Sequence, residues 1–330
     1  MTLLRLEDLS VTFPVARRGA WPWEAPDLLR AVTDVSLEVA AGETLGLVGE
    51  SGSGKSTLAR AVIGTIPASS GRVLWEGQDL AALSAGRRRR HRAEVQMVFQ
   101  DPLAALNPRM TVGRAIAEPL QTHEPDASRD ERRRRVGEVM EKVGLSPKLM
   151  DRYPHEFSGG QCQRVGIARA LVLNPRLIVA DEPVSALDVS VQAQVVNLMK
   201  RLVKDMGISL IFIAHDLSVV RNVSDRIAVM YLGRLMEVGP ARPLIAAPAH
   251  PYTRALVEAV PVPDPARGAV RAAGLVEGDI PSPLSPPSGC VFRTRCPRAR
   301  PDCADAPPAL RPVRETEAAC IHPIAEAAHA

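Results

Sequence analysis

The chain has 330 residues, room for one large domain with an appendage, and its 46% hydrophobic content is ordinary for a globular core. The formal net charge is only +4, and 3% aromatic residues are too few for a base-stacking platform, which excludes that mode of single-stranded nucleic-acid binding. No apolar run approaches the ~18 residues that a membrane-spanning helix needs, and the opening MTLLRLEDLSVTF lacks a signal-peptide pattern, so a cytosolic protein is expected, with any membrane association coming through partners.

In chain order, strand-like segments at Leu3–Phe13, Ala31–Val39 and Arg72–Trp75 predict an antiparallel β subdomain. Between them the apolar run Thr44–Val48 leads into GESGSGKST: Gly49, Glu50, Ser51, Gly52, Ser53, Gly54, Lys55, Ser56 and Thr57. This fits G-x-x-x-x-G-K-S/T at a strand-to-helix turn, where backbone N–H groups and a helix N-terminus face phosphates. Lys55 is then placed for the β/γ-phosphates, Ser56 for Mg²⁺ and Thr57 for the α-phosphate side. The apolar strand Val95–Phe99 ends at Gln100, and residues 111 to 157 read as helical, with Arg132–Val143 amphipathic, so a helical subdomain of about 111–170 is inserted here.

Ser158-Gly159-Gly160-Gln161 then precedes a helix expected from about Gln161 to Leu173. A Ser and two Gly at a helix N-terminus offer N–H groups and partial positive charge to an anion, with backbone close enough to touch it. The next strand, Leu177–Ala180, ends in Asp181-Glu182, a pattern suited to Mg²⁺ beside an attacking water: Asp181 for the metal, Glu182 to orient or deprotonate the water. A further strand, Ile208–Ala214, ends at His215, and strand Ile227–Leu232 and helix Tyr252–Val260 follow. Alternating strands and helices from Thr44 onward predict an α/β fold with a parallel sheet.

After Val260 the composition shifts to Pro and Ala, so residues 261 to 330 are expected as a separate tail with little periodic structure. Cys290, Cys296, Cys303 and Cys320 fall there with five, six and sixteen residues between them. Disulfides, free thiols and a metal site are all open to such a set; a cytosolic location argues against disulfides, and four thiolates suit zinc or an iron–sulphur cluster. Cys162 reads as a packing residue. The basic runs Arg87–Arg90 and Arg132–Arg135 carry no interleaved aromatics and read as solvated helix faces rather than a nucleic-acid surface.

The order of P-loop, Ser-Gly-Gly-Gln and Asp-Glu resembles the ATP-binding subunit of an ABC transporter over nearly the whole chain. The resemblance implies a P-loop ABC ATPase domain over residues 1–260, comprising a parallel-sheet core, an antiparallel β subdomain and the inserted helical subdomain. Residues 261–330 would be the irregular Cys/Pro-rich C-terminal region. It implies that Ser158–Gln161 is the signature, meeting the γ-phosphate of an ATP held on the other subunit's P-loop, so that ATP and Mg²⁺ sites are composite and a second ATPase subunit is required. Gln100 resembles the Q-loop glutamine, a further Mg²⁺ contact; Ser185-Ala186-Leu187-Asp188 resembles the D-loop and His215 the switch histidine. Phe13 has the best position for stacking on adenine, with Trp21 and Trp23 as alternatives.

The flanks FQDPLAALNPRMTV, DRYPHEFSGGQ, ADEPVSALDVSVQAQVVNLM and HPYTRALVEAVP resemble the oligopeptide/dipeptide importer ATPases, closest to the dipeptide-transport F type. That implies import of di- or oligopeptides, with paralogues that import nickel chelates or glutathione. The implied partners are a paralogous ATPase subunit, two permeases and an extracytoplasmic solute-binding protein, at the cytoplasmic face of a bacterial membrane. A [4Fe–4S] cluster on the tail cysteines is implied for some members, with zinc as the alternative. The rival class, ABC ATPases acting on DNA or ribosomes, carries coiled-coil or zinc insertions or two ATPase domains, and this sequence has neither.

Overall fold

The computed structural model describes residues 1–16, 26–260 and 278–324, so Trp21 and Trp23 lie outside the described residues. The chain divides into two compact units: Met1–Leu3, Val39–Thr44 and Trp75–Ala214 form one, and Leu4–Glu38, Leu45–Leu74 and His215–Ala330 the other.

The first unit is built on three parallel strands, Val95–Val98, Leu177–Asp181 and Ser209–Ala214, with Met97 opposite Val179 and Val179 opposite Ile211. The last two strands are buried at every residue, as continuous apolar strands covered on both faces must be. Helices Val112–His123, Arg129–Lys142 and Gly159–Leu171 pack on one another through Ile116, Leu120, Met140 and Ile167, all almost wholly buried. Two of them start earlier than periodicity predicts, because capping rather than apolar spacing sets the first turn. Ser128 Oγ accepts from the Glu131 N–H at 3.1 Å, and Ser158 opens the third helix at Gly159.

The second unit holds two groups of neighbouring strands. Asp27–Ala40, Thr2–Val15 and Ser70–Trp75 lie side by side in that order. Thr44–Val48 runs parallel to Arg226–Tyr231, with Val48 opposite Val229, and Arg226–Tyr231 pairs antiparallel with Arg234–Pro240. The described part of the C-terminal extension, residues 278–324, adds two short strands. Thr316–Ala318 lies antiparallel on Arg234–Pro240, with Glu237 opposite Ala318, and Arg311–Val313 pairs with Thr316–Ala318. Three residues are too few to show a period-2 pattern, which is why the sequence does not reveal them.

Glu237 is fully buried in this sheet. Its carboxylate accepts from the N–H groups of Ala249 and His250, both at 2.9 Å, and from Thr316 Oγ1 at 3.0 Å. Burial pushes its pKa up, and these hydrogen bonds oppose the shift. No helix among the described residues is long and apolar enough to cross a membrane.

Candidate nucleotide site and cysteine chamber

The P-loop joins strand Thr44–Val48 to helix Lys55–Ile63 in the second unit. Gly49 at φ 155° and Gly54 at φ 99° take conformations that L side chains rarely adopt. Space is equally restrictive: a Cβ at Gly49 would lie 2.1 Å from the Met230 carbonyl oxygen, and one at Gly54 2.2 Å from that of Ala31. Backbone holds the loop on both flanks, with the Gly233 N–H donating to the Ser53 carbonyl at 2.9 Å. Lys55 is 5% exposed, and its Nζ donates to the carbonyls of Gly49 at 2.7 Å and Glu50 at 2.8 Å. The lysine thus runs back along the inside of the loop, the strand-to-helix turn whose N–H groups and helix N-terminus suit an anion. Ser56, the second residue of the helix, carries the hydroxyl suited to a hard cation such as Mg²⁺.

The acidic strand end belongs to the first unit. Asp181 closes strand Leu177–Asp181 and is 7% exposed, and its carboxylate is the kind of hard oxygen donor Mg²⁺ takes. Glu182 turns the chain with φ 45°, a left-handed conformation uncommon outside glycine, and its N–H donates to the Ile213 carbonyl at 3.0 Å. Gln100 comes from the neighbouring strand's end: its Nε2 donates to Glu182 Oε2 at 3.0 Å. The structure therefore brings Gln100, Asp181 and Glu182 to one edge of the parallel sheet.

Ser185 continues from this edge, its Oγ donating to the Glu182 carbonyl at 3.1 Å, and Asp188 caps helix Val189–Met206. The signature turn lies against the same segment. Its capping box is closed, with the Ser158 N–H donating to Gln161 Oε1 at 2.9 Å and the Gln161 N–H to Ser158 Oγ at 3.4 Å. A Cβ at Gly160 would lie 2.5 Å from Val191 Cγ1, so that glycine's missing side chain makes room for helix Val189–Met206. Gly159 has no such neighbour, since a Cβ there would meet Leu187 Cδ2 at an ordinary 3.5 Å. His215, exposed after strand Ser209–Ala214, and Phe13, half-buried near the end of Thr2–Val15, belong to the second unit.

Family models match twice: "ABC transporter" over residues 32–185 and "Oligopeptide/dipeptide transporter, C-terminal region" over residues 236–303. The oligopeptide transport ATP-binding protein OppF of Salmonella typhimurium is 58% identical over 308 residues, 93% of this chain and 92% of that one. Its Escherichia coli namesake is 56% identical over 319 residues, 97% and 96%. The chain belongs to the OppF-type ATP-binding subunits of ABC transporters. Among solved structures, the dimeric ATP-binding cassette MJ0796 in a post-hydrolysis state bound to ADP and Pi matches with TM-score 0.63 and 29% identity, over 72% of this chain and 99% of that one.

The OppF-type C-terminal region encloses a cavity of its own. Cys290, Cys296, Cys303 and Cys320 line one small cavity with His250 and Phe292, and all four are free thiols. Burial pushes up the thiol pKa values of Cys290, Cys296 and Cys320, the last to about 11. Sequence reasoning did not single out Asp302 and His322, which the fold brings to Cys303 with their ligand atoms all within 4.8 Å of one another. His322 Nε2 lies 2.8 Å from Asp302 Oδ2. Twenty residues of separation left no spacing signal for that pair.

Cys162 is fully buried, its Sγ donating to the Pro154 carbonyl at 3.4 Å, a packing role. The basic runs are largely paired within this OppF-type chain. Arg90 meets Glu94 at 3.0 Å, Arg134 bonds both Glu131 and Glu138, and Arg135 bonds Glu124 and the Val172 carbonyl. His91, inside the first run, is buried edge-on against Trp75 at 5.2 Å.

Proposed function

We propose that this chain binds and hydrolyses ATP as one of two ATPase subunits of an ABC importer, coupling hydrolysis to uptake of di- or oligopeptides. The observation that carries the catalytic assignment is Glu182, held in a left-handed turn at a buried strand end with one carboxylate oxygen bonded to Gln100 at 3.0 Å. A carboxylate so fixed can orient a water in line with a phosphoryl group and take its proton. Lys55 and the P-loop N–H groups bind the phosphates; Ser56 and Asp181, with Gln100, hold Mg²⁺, which when bound neutralises phosphate charge. His215 contacts the γ-phosphate and Phe13 stacks on adenine. Ser158, Gly159 and Gly160 present N–H groups to ATP on a paralogous partner subunit, and the D-loop, Ser185–Asp188, crosses to it.

Two permeases and an extracytoplasmic binding protein complete the machine, with this subunit peripheral on the cytoplasmic face. The peptide reading draws on the relatives named for oligopeptide transport. The Pro-rich extension would carry a [4Fe–4S] cluster on its four cysteines. What supports this is a shared cavity lined by four thiols, the soft ligands such clusters take. Anaerobically purified protein would then contain iron and acid-labile sulphide, lost in Cys296→Ser/Cys303→Ser; stoichiometric zinc would redirect the site to zinc.

The test of the whole reading is Glu182→Gln in the assembled transporter. Turnover should fall by about 10²–10⁴-fold, with ATP binding retained and a closed dimer trapped. Near wild-type turnover would overturn the assignment.

A further inference from the structure

Glu50 is the one charged residue in the loop before Lys55, and its side chain points at the C-terminal extension. Arg295 Nη1 donates to Glu50 Oε2 at 2.7 Å and Nη2 to Glu50 Oε1 at 3.2 Å, a bidentate pair. The Arg295 side chain is only 8% exposed, and Glu50 is 25% exposed. The guanidinium also bonds Tyr231 Oη at 3.3 Å and lies over that ring, 5.7 Å from its centroid. Burial, the largest influence, disfavours the cation, and the bonds to Glu50 and Tyr231 outweigh it, so the net shift is upward. The Glu50 N–H donates to Tyr252 Oη at 2.9 Å, and the Glu50 carbonyl accepts from Lys55. Tyr252 in turn packs on Tyr231 and on Phe292 of the extension, with ring centroids 4.8 and 5.2 Å apart.

We propose that Arg295 is a positioning residue for ATP: by gripping Glu50 it holds the P-loop in its phosphate-binding form, so that the C-terminal extension sets how tightly this subunit holds nucleotide. Every group of Glu50 is fixed, its N–H by Tyr252, its carbonyl by Lys55 and its carboxylate by Arg295. A loop fixed beforehand loses less freedom when phosphates bind. Arginine's fork does this better than a point charge, since two parallel bonds fix the carboxylate's orientation as well as its position.

The inference rests on the ATP-binding reading, and Lys55→Ala serves as its control. The measurement is the ATP KM and kcat of the assembled transporter, with nucleotide titration of the full chain. Arg295→Met should raise KM and Kd for ATP about tenfold while kcat stays within about twofold. Arg295→Lys should recover to within about threefold of wild type, because one charged donor remains. Glu50→Gln should resemble Arg295→Met, and the double variant should be no worse than either single one. Unchanged nucleotide affinity in Arg295→Met, additive effects in the double variant, or a fall in kcat at constant KM would each overturn the proposal. If Lys55→Ala itself leaves ATP affinity unchanged, the ATP-binding reading fails instead.

Discussion

The P-loop and the signature turn are both glycine-bearing helix N-termini, proposed above to meet an anion, yet the chain treats them differently. The P-loop is pinned from all sides: Met230 and Ala31 carbonyls crowd Gly49 and Gly54, and Tyr252 and Arg295 hold Glu50. The signature turn is satisfied mainly by its own capping box, and a Cβ at Gly159 would meet no backbone outside its own helix within 4 Å, only the Leu187 side chain. One cradle is finished within this chain. The other is left exposed at Gly159, the face proposed above for a partner's nucleotide.

The sharpest way to break that contrast is to add one methyl group to each cradle. Gly49→Ala forces a Cβ to 2.1 Å from backbone that cannot yield and should cost about 3 kcal/mol or abolish folding and ATP binding together. Gly159→Ala meets only Leu187 at 3.5 Å, so thermal stability should stay at wild type. Its ATPase activity in the assembled transporter should nonetheless drop about tenfold or more, because the added Cβ keeps an anion from approaching the backbone N–H groups closely. Equal destabilisation by the two substitutions, measured by thermal melts, would erase the distinction.

Acid should separate the cradles next. Burial lowers the His250 pKa to about 3, and His250 Nδ1 accepts from the Tyr252 N–H at 3.0 Å, starting the helix that carries Tyr252 to the P-loop. Because the folded pKa lies below the unfolded one, the neutral ring's contribution is complete above pH ~6.5 and is lost as pH falls from there toward 3. Urea titrations should show about 2 kcal/mol less stability at pH 5 than at pH 7 from this residue. His250→Asn, which keeps an acceptor at the cap, should flatten that slope. The signature cap, Ser158 with Gln161, has no titrating group and should not follow. The smallest effect is Ser158→Ala, which should cost about 1 kcal/mol of stability.

Much of the nucleotide machinery was legible because phosphate chemistry demands residue types at fixed spacing along a strand–turn–helix. Gly49 to Thr57, Ser158 to Gln161 and Asp181-Glu182 announce themselves in that way. What was hidden are the residues that hold these motifs in place from a distance. Nothing local marks Arg295 as the partner of Glu50, or Val191 as the reason Gly160 lacks a side chain, because each pairing exists only once the chain has folded. The extension was the least readable region: its strands Arg311–Val313 and Thr316–Ala318 are three residues long, and proline masks their neighbours. Its cysteines were visible, but Asp302 and His322 beside Cys303 were not.

Strand Thr316–Ala318 gives the sheet a late closing date during synthesis. Until it emerges from the ribosome, Arg234–Pro240 lacks its second neighbour, and the Glu237 carboxylate lacks its bond from Thr316. A polypeptide cut short before Thr316 would contain every nucleotide motif and still present one open strand edge and an under-satisfied buried acid, both invitations to aggregation and proteolysis.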